Sequence, residues 1–158
     1  MTIVDARVVP IRNGLSLDTF IFMELDRRIE VDDLRMRKVR QALAHVLTRP
    51  DDSIVKVTRR APRQVRMFPT RTAVEFDEDA ANGRTVMELV AGDRPGLLSK
   101  VGQVFIDLAV EIDTAKIMTI GERAEDVFYI VDGDGNPLSG ELRETLRQRL
   151  MATLDTPE

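Results

Sequence analysis

The sequence predicts an α+β fold, an antiparallel sheet with helices on one face, built from a unit that occurs twice with one copy cut short. Three observations carry this reading. The second half of the chain runs strand, helix, strand, strand, helix; the first half repeats the hairpin and final helix of that order; and 43% hydrophobic residues over 158 positions suffice for a packed core.

The elements follow in order. IVDARVVPIRNGLSLDTFIFMELD reads as two strands about Arg12-Asn13-Gly14, because Asn-Gly is a favoured tight-turn pair. In DDLRMRKVRQALAHVL, Leu34, Val39, Ala42, Leu43, Val46 and Leu47 form one stripe with basic residues opposite, an amphipathic helix. From Arg49 to Arg71, Pro50, Pro62 and Pro69 stand among Lys56 and arginines 59, 60, 63 and 66, the composition of a basic linker. TAVEFD and RTVMELVA then flank an Asp-Ala-Ala-Asn-Gly turn region and predict an antiparallel pair. Leu97, Leu98, Val101, Val104, Phe105 and Leu108 recur at helical spacing. Gly102 inside that run costs about 1 kcal/mol relative to alanine, so its expected use is a close approach of helix to sheet. EIDTAKIMTIGERAEDVFYIVDGDG gives two strands about Gly121-Glu122-Arg123, after which Ser139 caps a helix carrying Leu142, Leu146, Leu150 and Leu154. The division is a partial unit over residues 1–48, the linker over 49–71, and a complete unit with a preceding edge strand over 72–158.

The repeat is visible residue by residue. Ala6, Arg7, Val8 and Ile11 match Ala115, Lys116, Ile117 and Ile120, and Asp18 and Phe20 match Asp126 and Phe128, an offset of about 108 residues. The second copy has a strand and a helix ahead of its hairpin, whereas the first begins at the hairpin. A β-α-β-β-α unit is the split βαβ layout, which normally closes with a fourth strand. TAVEFD can fill that edge by pairing with RTVMELVA.

Composition excludes several function classes. Without cysteine there is no disulfide framework and no thiolate nucleophile or metal ligand, which fits a reducing cytoplasm. No apolar run approaches the roughly 20 residues of a membrane helix, and a net charge of −4 gives no general attraction for nucleic acid. The basic linker holds one aromatic, Phe68, so base stacking has little to work with and a solvated linker is the better reading. His45, the single histidine, has no histidine or cysteine to join and reads as helix surface. Asp77, Glu78 and Asp79 read as a solvated turn. DGDGNPLSGELR spaces Asp132, Asp134 and Asn136 like a calcium loop, but Pro137 and Arg143 stand where that loop needs glycine and a bidentate glutamate, so it reads as a strand-to-helix turn. There is no phosphate loop, nucleophile elbow or spaced histidine pair, and no complete catalytic centre.

One short stretch points to binding. In VMELVAGDRPGLLSKVGQVF, Asp93-Arg94-Pro95-Gly96 joins a strand-like run to a helix-like one. Pro95 reads as the helix start, Asp93 as its cap, and Gly96 as a place where another group can approach the backbone. Free amides and the helix dipole favour an anion there, although every helix has such an end.

The run AGDRPGLLSKVGQVFIDLAVEIDTAKIMTIGERAEDVFYIVDGDG resembles the ACT domain family, small amino-acid-sensing modules of ferredoxin-like βαββαβ topology. TIGERAEDVFYIVD, the final helix and the upstream RRAPRQVRMFPTRTAVEFD together resemble the carboxyl-terminal tandem ACT region of bifunctional uridylyltransferase/uridylyl-removing enzymes, which modify the PII nitrogen-signalling protein. The resemblance implies a cytoplasmic regulatory region that binds glutamine, with the catalytic domains of a parent enzyme as partners and PII as an indirect one. It implies no cofactor for this chain, and a divalent metal only for the parent enzyme. The ligand site would comprise Asp93, Arg94, Pro95, Gly96, Leu97 and Leu98, with the ligand carboxylate on the amides of Gly96, Leu97 and Leu98 and its ammonium group at Asp93. Two departures stand out: neither catalytic motif of the parent family is present, and the first unit lacks a DRPGLL turn. Ala109 is a smaller one, standing where a helix-ending glycine is the physical default. The alternative from another class is a structural interaction module, binding through its sheet edge without ligand response. The incomplete first unit also predicts association into a homodimer, because Val8, Ile11, Phe20 and Phe22 need a covering surface.

Overall fold

The computed structural model of the chain describes residues 2–11, 15–23, 32–48 and 70–155. The Arg12–Gly14 turn and almost all of the basic linker lie outside the described residues. The elements are β1 (Thr2–Ile11), β2 (Leu15–Met23), α1 (Asp33–Thr48), β3 (Ala73–Asp79), β4 (Arg84–Gly92), α2 (Leu97–Asp107), β5 (Val110–Ile120), β6 (Arg123–Asp132) and α3 (Gly140–Leu154). Six strands form one antiparallel sheet in the order β2-β1-β5-β6-β4-β3. The expected edge strand is therefore β3, paired to β4 from Ala73↔Val90 to Asp79↔Arg84.

The core lies between the sheet and the pair α2–α3. Alternation along the strands puts Met87, Leu89 and Ala91 of β4, Ala124, Phe128 and Ile130 of β6, and Ala115 and Ile117 of β5 in the buried cluster. Leu97, Val101, Val104 and Phe105 of α2 and Leu146, Leu150 and Leu154 of α3 meet them. The Phe105 and Phe128 rings pack edge to face, with centroids 5.4 Å apart. β3 is held by α3: Arg147 donates to the Val74 carbonyl at 3.1 Å and lies over the Phe76 ring. On the uncovered face, Arg84 bonds Asp79 and Asp113 and stacks on Tyr129, joining β3, β4, β5 and β6.

The helix ends show which local rules were obeyed. The Ser139 hydroxyl accepts from the Leu142 amide at 3.2 Å and caps α3 as expected. The DGDG segment is a turn in which one Asp132 carboxylate oxygen accepts the amides of Asp134 and Asn136. Ala109 takes the left-handed conformation that glycine usually supplies, with φ +51°, as α2 ends. Gly102 is a correction: a Cβ at that position would meet nothing within 4 Å, so close packing does not explain the glycine.

The repeat becomes geometry at the seam between its copies. β1 and β5 pair through Ala6↔Ile117, Arg7↔Lys116 and Val8↔Ala115. In the repeat, Ala6 corresponds to Ala115 and Val8 to Ile117, so each residue faces the equivalent of its mirror position. The register defines a local two-fold axis through Arg7 and Lys116. Beyond it the copies differ. Phe128 and Ile130 are 3% and 0% exposed under α2 and α3, whereas Phe20 and Phe22, at the equivalent places on β2, are 41% and 38% exposed. α1 is a helix capped by the Asp32 carboxylate, yet it buries none of its residues, and Leu34, Leu43 and Leu47 of its apolar stripe are exposed.

Candidate functional site

The site expected at Asp93-Arg94-Pro95-Gly96 is a turn between β4 and α2. β4 delivers it from inside the sheet, between β6 and the edge strand β3, and the Asp93 amide, donating to the Glu122 carbonyl at 2.9 Å, fixes it to the β5–β6 hairpin. Leu97 donates to the Arg94 carbonyl at 3.0 Å, and Gly96 has φ +85° and ψ +4°. These are the marks of a type II turn, with Pro95 at its second position and Gly96 at the third, where a positive φ is required.

This corrects two expectations. The helix begins at Leu97 rather than Pro95, and Gly96 is its N-cap without any side-chain cap, so Asp93 does not perform that role. Lys100 is the first residue bonded in helical fashion, to the Gly96 carbonyl at 2.9 Å. The amides of Leu98 and Ser99 therefore stay free of backbone partners at the positive end of α2. The Leu97 amide is already occupied by Arg94.

The other expected residues divide by direction. Arg94 donates to the Leu154 carbonyl at the end of α3 (3.4 Å), a favourable place for a cation. With Thr72, Ala91, Gly92, Pro95, Leu97 and Lys100, these two line a shallow depression between the turn and α3. Asp93 is half-buried, its carboxylate has no hydrogen bond among the described residues, and burial raises its pKa above the usual carboxylate range. The segment thus carries amides without backbone partners at the start of α2 and, just ahead of the turn, a carboxylate without a hydrogen bond among the described residues.

Sequence reasoning passed over Asp126. It lies on the apolar face of β6, 1% exposed, between Ala124 and Phe128 in the alternation. One oxygen accepts the Met118 amide at 3.1 Å; Oδ2 has no partner. Burial pushes its pKa up to about 6; the Met118 hydrogen bond acts against the rise, and the nearby charge of Asp93 adds to it. Its signal in the sequence is RAEDVFYIVD, which sets an acid in the register of a buried face.

Other candidates fall away. His45 is exposed on α1, and Asp77, Glu78 and Asp79 belong to the end of β3, where Asp79 binds Asn82 and Arg84. Among the described residues no group of three acidic, histidine or cysteine side chains is placed to hold a metal ion, and no helix is long and apolar enough to cross a membrane.

The strand-turn-helix, its hairpin and the second helix define an ACT domain, and residues 85–148 match that family. The particular relatives are bifunctional uridylyltransferase/uridylyl-removing enzymes. The chain is 38% identical over 97% of its length to that of Pseudomonas fluorescens (strain SBW25) and 40% identical over 88% to that of Stutzerimonas stutzeri (strain A1501). It is 35% identical over its full length to that of Ectopseudomonas mendocina (strain ymp). It spans 18%, 16% and 18% of those proteins, less than a fifth of each. No solved structure matches the chain. The chain is an ACT-domain relative of these enzymes.

Proposed function

We propose that the chain is an amino-acid-sensing regulatory region of a uridylyltransferase/uridylyl-removing enzyme, with glutamine as its ligand and uridylylation of the PII protein as the activity it controls. The observation that carries this reading is the turn itself. The Leu98 and Ser99 amides can receive the ligand carboxylate while Asp93 receives its ammonium group. A carboxylate at a helix start gains from both the free amides and the dipole. The relatives' names supply the uridylyl chemistry; this chain supplies a place for the signal.

Calorimetric titration with glutamine tests the reading. Binding by the chain, weakened about tenfold or more in Asp93→Asn, is the expected result. Equal binding by the variant would remove Asp93 from the site. Gly96→Val is the poorer probe, because a valine at φ +85° deforms the turn whatever the ligand does. A second reading, a protein-interaction module without ligand response, is favoured by the exposed edge strand β2. It predicts no change in melting temperature with any amino acid, whereas a ligand selective for the folded state must raise it.

A further inference from the structure

The helices cover one face of the sheet, and the opposite face departs from the polar pattern that a solvated antiparallel face normally shows. Val86 and Val90 of β4, Val127, Tyr129 and Val131 of β6 and Met118 of β5 lie on it and are only partly buried. The strand registers set one continuous row across this face: Thr19 opposite Arg7, Arg7 opposite Lys116, Lys116 opposite Val127, Val127 opposite Glu88, and Glu88 opposite Glu75. The row thus holds two exposed cations side by side and two exposed anions side by side, with Val127 between the pairs. Like charges directly opposite each other destabilise a sheet. The repeat accounts for the first pair, because Arg7 and Lys116 are equivalent positions, but nothing within the chain accounts for the second. Other charges on the same face are matched: Arg84 bonds Asp79 and Asp113, and Arg123 lies 3.0 Å from Glu125. Arg7, Lys116, Glu88 and Glu75 have no ion-pair partner among the described residues.

We propose that this face is an interface with a second copy of the chain, stacked sheet to sheet about a two-fold axis that lies between the two sheets and runs along β6. The sheet order sets β5 and β4 one strand to either side of β6, and β1 and β3 two strands to either side. Neighbouring strands are about 4.8 Å apart, so the rotation lays Lys116 over the partner's Glu88 and Arg7 over the partner's Glu75, and symmetry repeats both contacts. Val127 meets its own copy. Thr114 and Val86, which flank Tyr129 on β5 and β4, come to face each other in the same way. Like-charge pairs that cost stability in one copy become matched pairs in two, and the same patch serves both subunits. Stacked sheets cross at about 30°, which displaces the outer charges more than the inner ones. Lys116 and Glu88, nearest the axis, therefore carry the test. The contact is separate from the Asp93 turn and from the exposed edge of β2, and it stands without the amino-acid reading.

Sedimentation equilibrium of the full chain tests this, with Phe20→Lys present throughout to weaken association through β2. The Phe20→Lys chain should form a dimer within the range of roughly 10 μM to 1 mM. Adding Lys116→Glu or Glu88→Lys should raise the dissociation constant about tenfold or more, because each change sets like charges together twice in one dimer. Adding both should restore it to within about threefold of the starting chain, since the two reversals compensate across the interface. Each single change also gives its like-charged neighbour in the sheet an opposite charge, so the melting temperature should hold or rise while association is lost. A monomer across the whole range, single variants that associate as the starting chain does, or a double variant as weak as the singles would each overturn the proposal. A measurement independent of the charge variants is the position of the Val127 and Val86 amide resonances in the Phe20→Lys chain: they should move with concentration over the same range, and resonances that stay fixed would contradict the contact.

Discussion

Asp126 shows how much one residue can carry against the local rules. Its strand places it in an apolar register, and the fold tolerates a carboxyl there with a single amide donor. The linkage has a definite sign. The folded state holds this proton up to about pH 6 and the unfolded state only to about 3.8, so the acid's contribution to stability is present below pH 3.8 and is lost as pH rises through 6. Relative to the wild type, Asp126→Asn should therefore gain up to about 3 kcal/mol between pH 4 and pH 7, since each unit of pKa difference is about 1.36 kcal/mol. Chemical denaturation of both proteins at the two pH values checks this. An equal difference at both would mean that Asp126 is ionised in the folded state as easily as in water. Ala109 is a second local exception, because its φ of +51° is unfavourable for any residue with a Cβ. Ala109→Gly should stabilise the chain by about 1 kcal/mol, measurable as a higher denaturation midpoint.

At the scale of elements, periodicity and turn chemistry located nearly every strand and helix, including β3 at the sheet edge. Ser139, the DGDG turn and the Leu146-Leu150-Leu154 stripe were legible because each is a local preference that tertiary packing reinforced. The start of α2 was misread because Pro-Gly satisfies two patterns, a proline at the first helical turn and the middle of a type II turn. The Leu97–Arg94 hydrogen bond decides for the second. Gly102 was misread because sequence shows the cost of a glycine but not the space around it. That space is open, so Gly102→Ala should raise stability by about 0.5–1 kcal/mol through helix propensity alone. A loss of stability in thermal or denaturant melts would instead reveal a close approach there. The turn between β4 and α2 is legible in DRPG, whereas the burial of Asp126, an acid in the apolar register of RAEDVFYIVD, is masked by its match to Asp18 in the repeat.

For the molecule as a whole, the two copies meet about a local two-fold axis and then diverge. β2 presents exposed apolar residues on both faces, Leu15, Leu17 and Ile21 on one and the stacked Phe20 and Phe22 on the other, and carries Asp18 as its one charge. The opposite edge, β3, carries Glu75, Asp77, Glu78 and Asp79 and is protected against pairing. Association through β2 is the expected behaviour, and light scattering coupled to size exclusion should find a dimer that Phe20→Lys weakens. A stable wild-type monomer at micromolar concentration would contradict it. Whether the Asp93–Gly96 turn binds an amino acid is decided by thermal melting of the whole chain across the amino acids. Glutamine should raise the melting temperature progressively, with a stabilisation of about 2.7 kcal/mol at a hundred times its dissociation constant. No shift with glutamine or any other amino acid at millimolar concentration would rule out amino-acid binding by the turn.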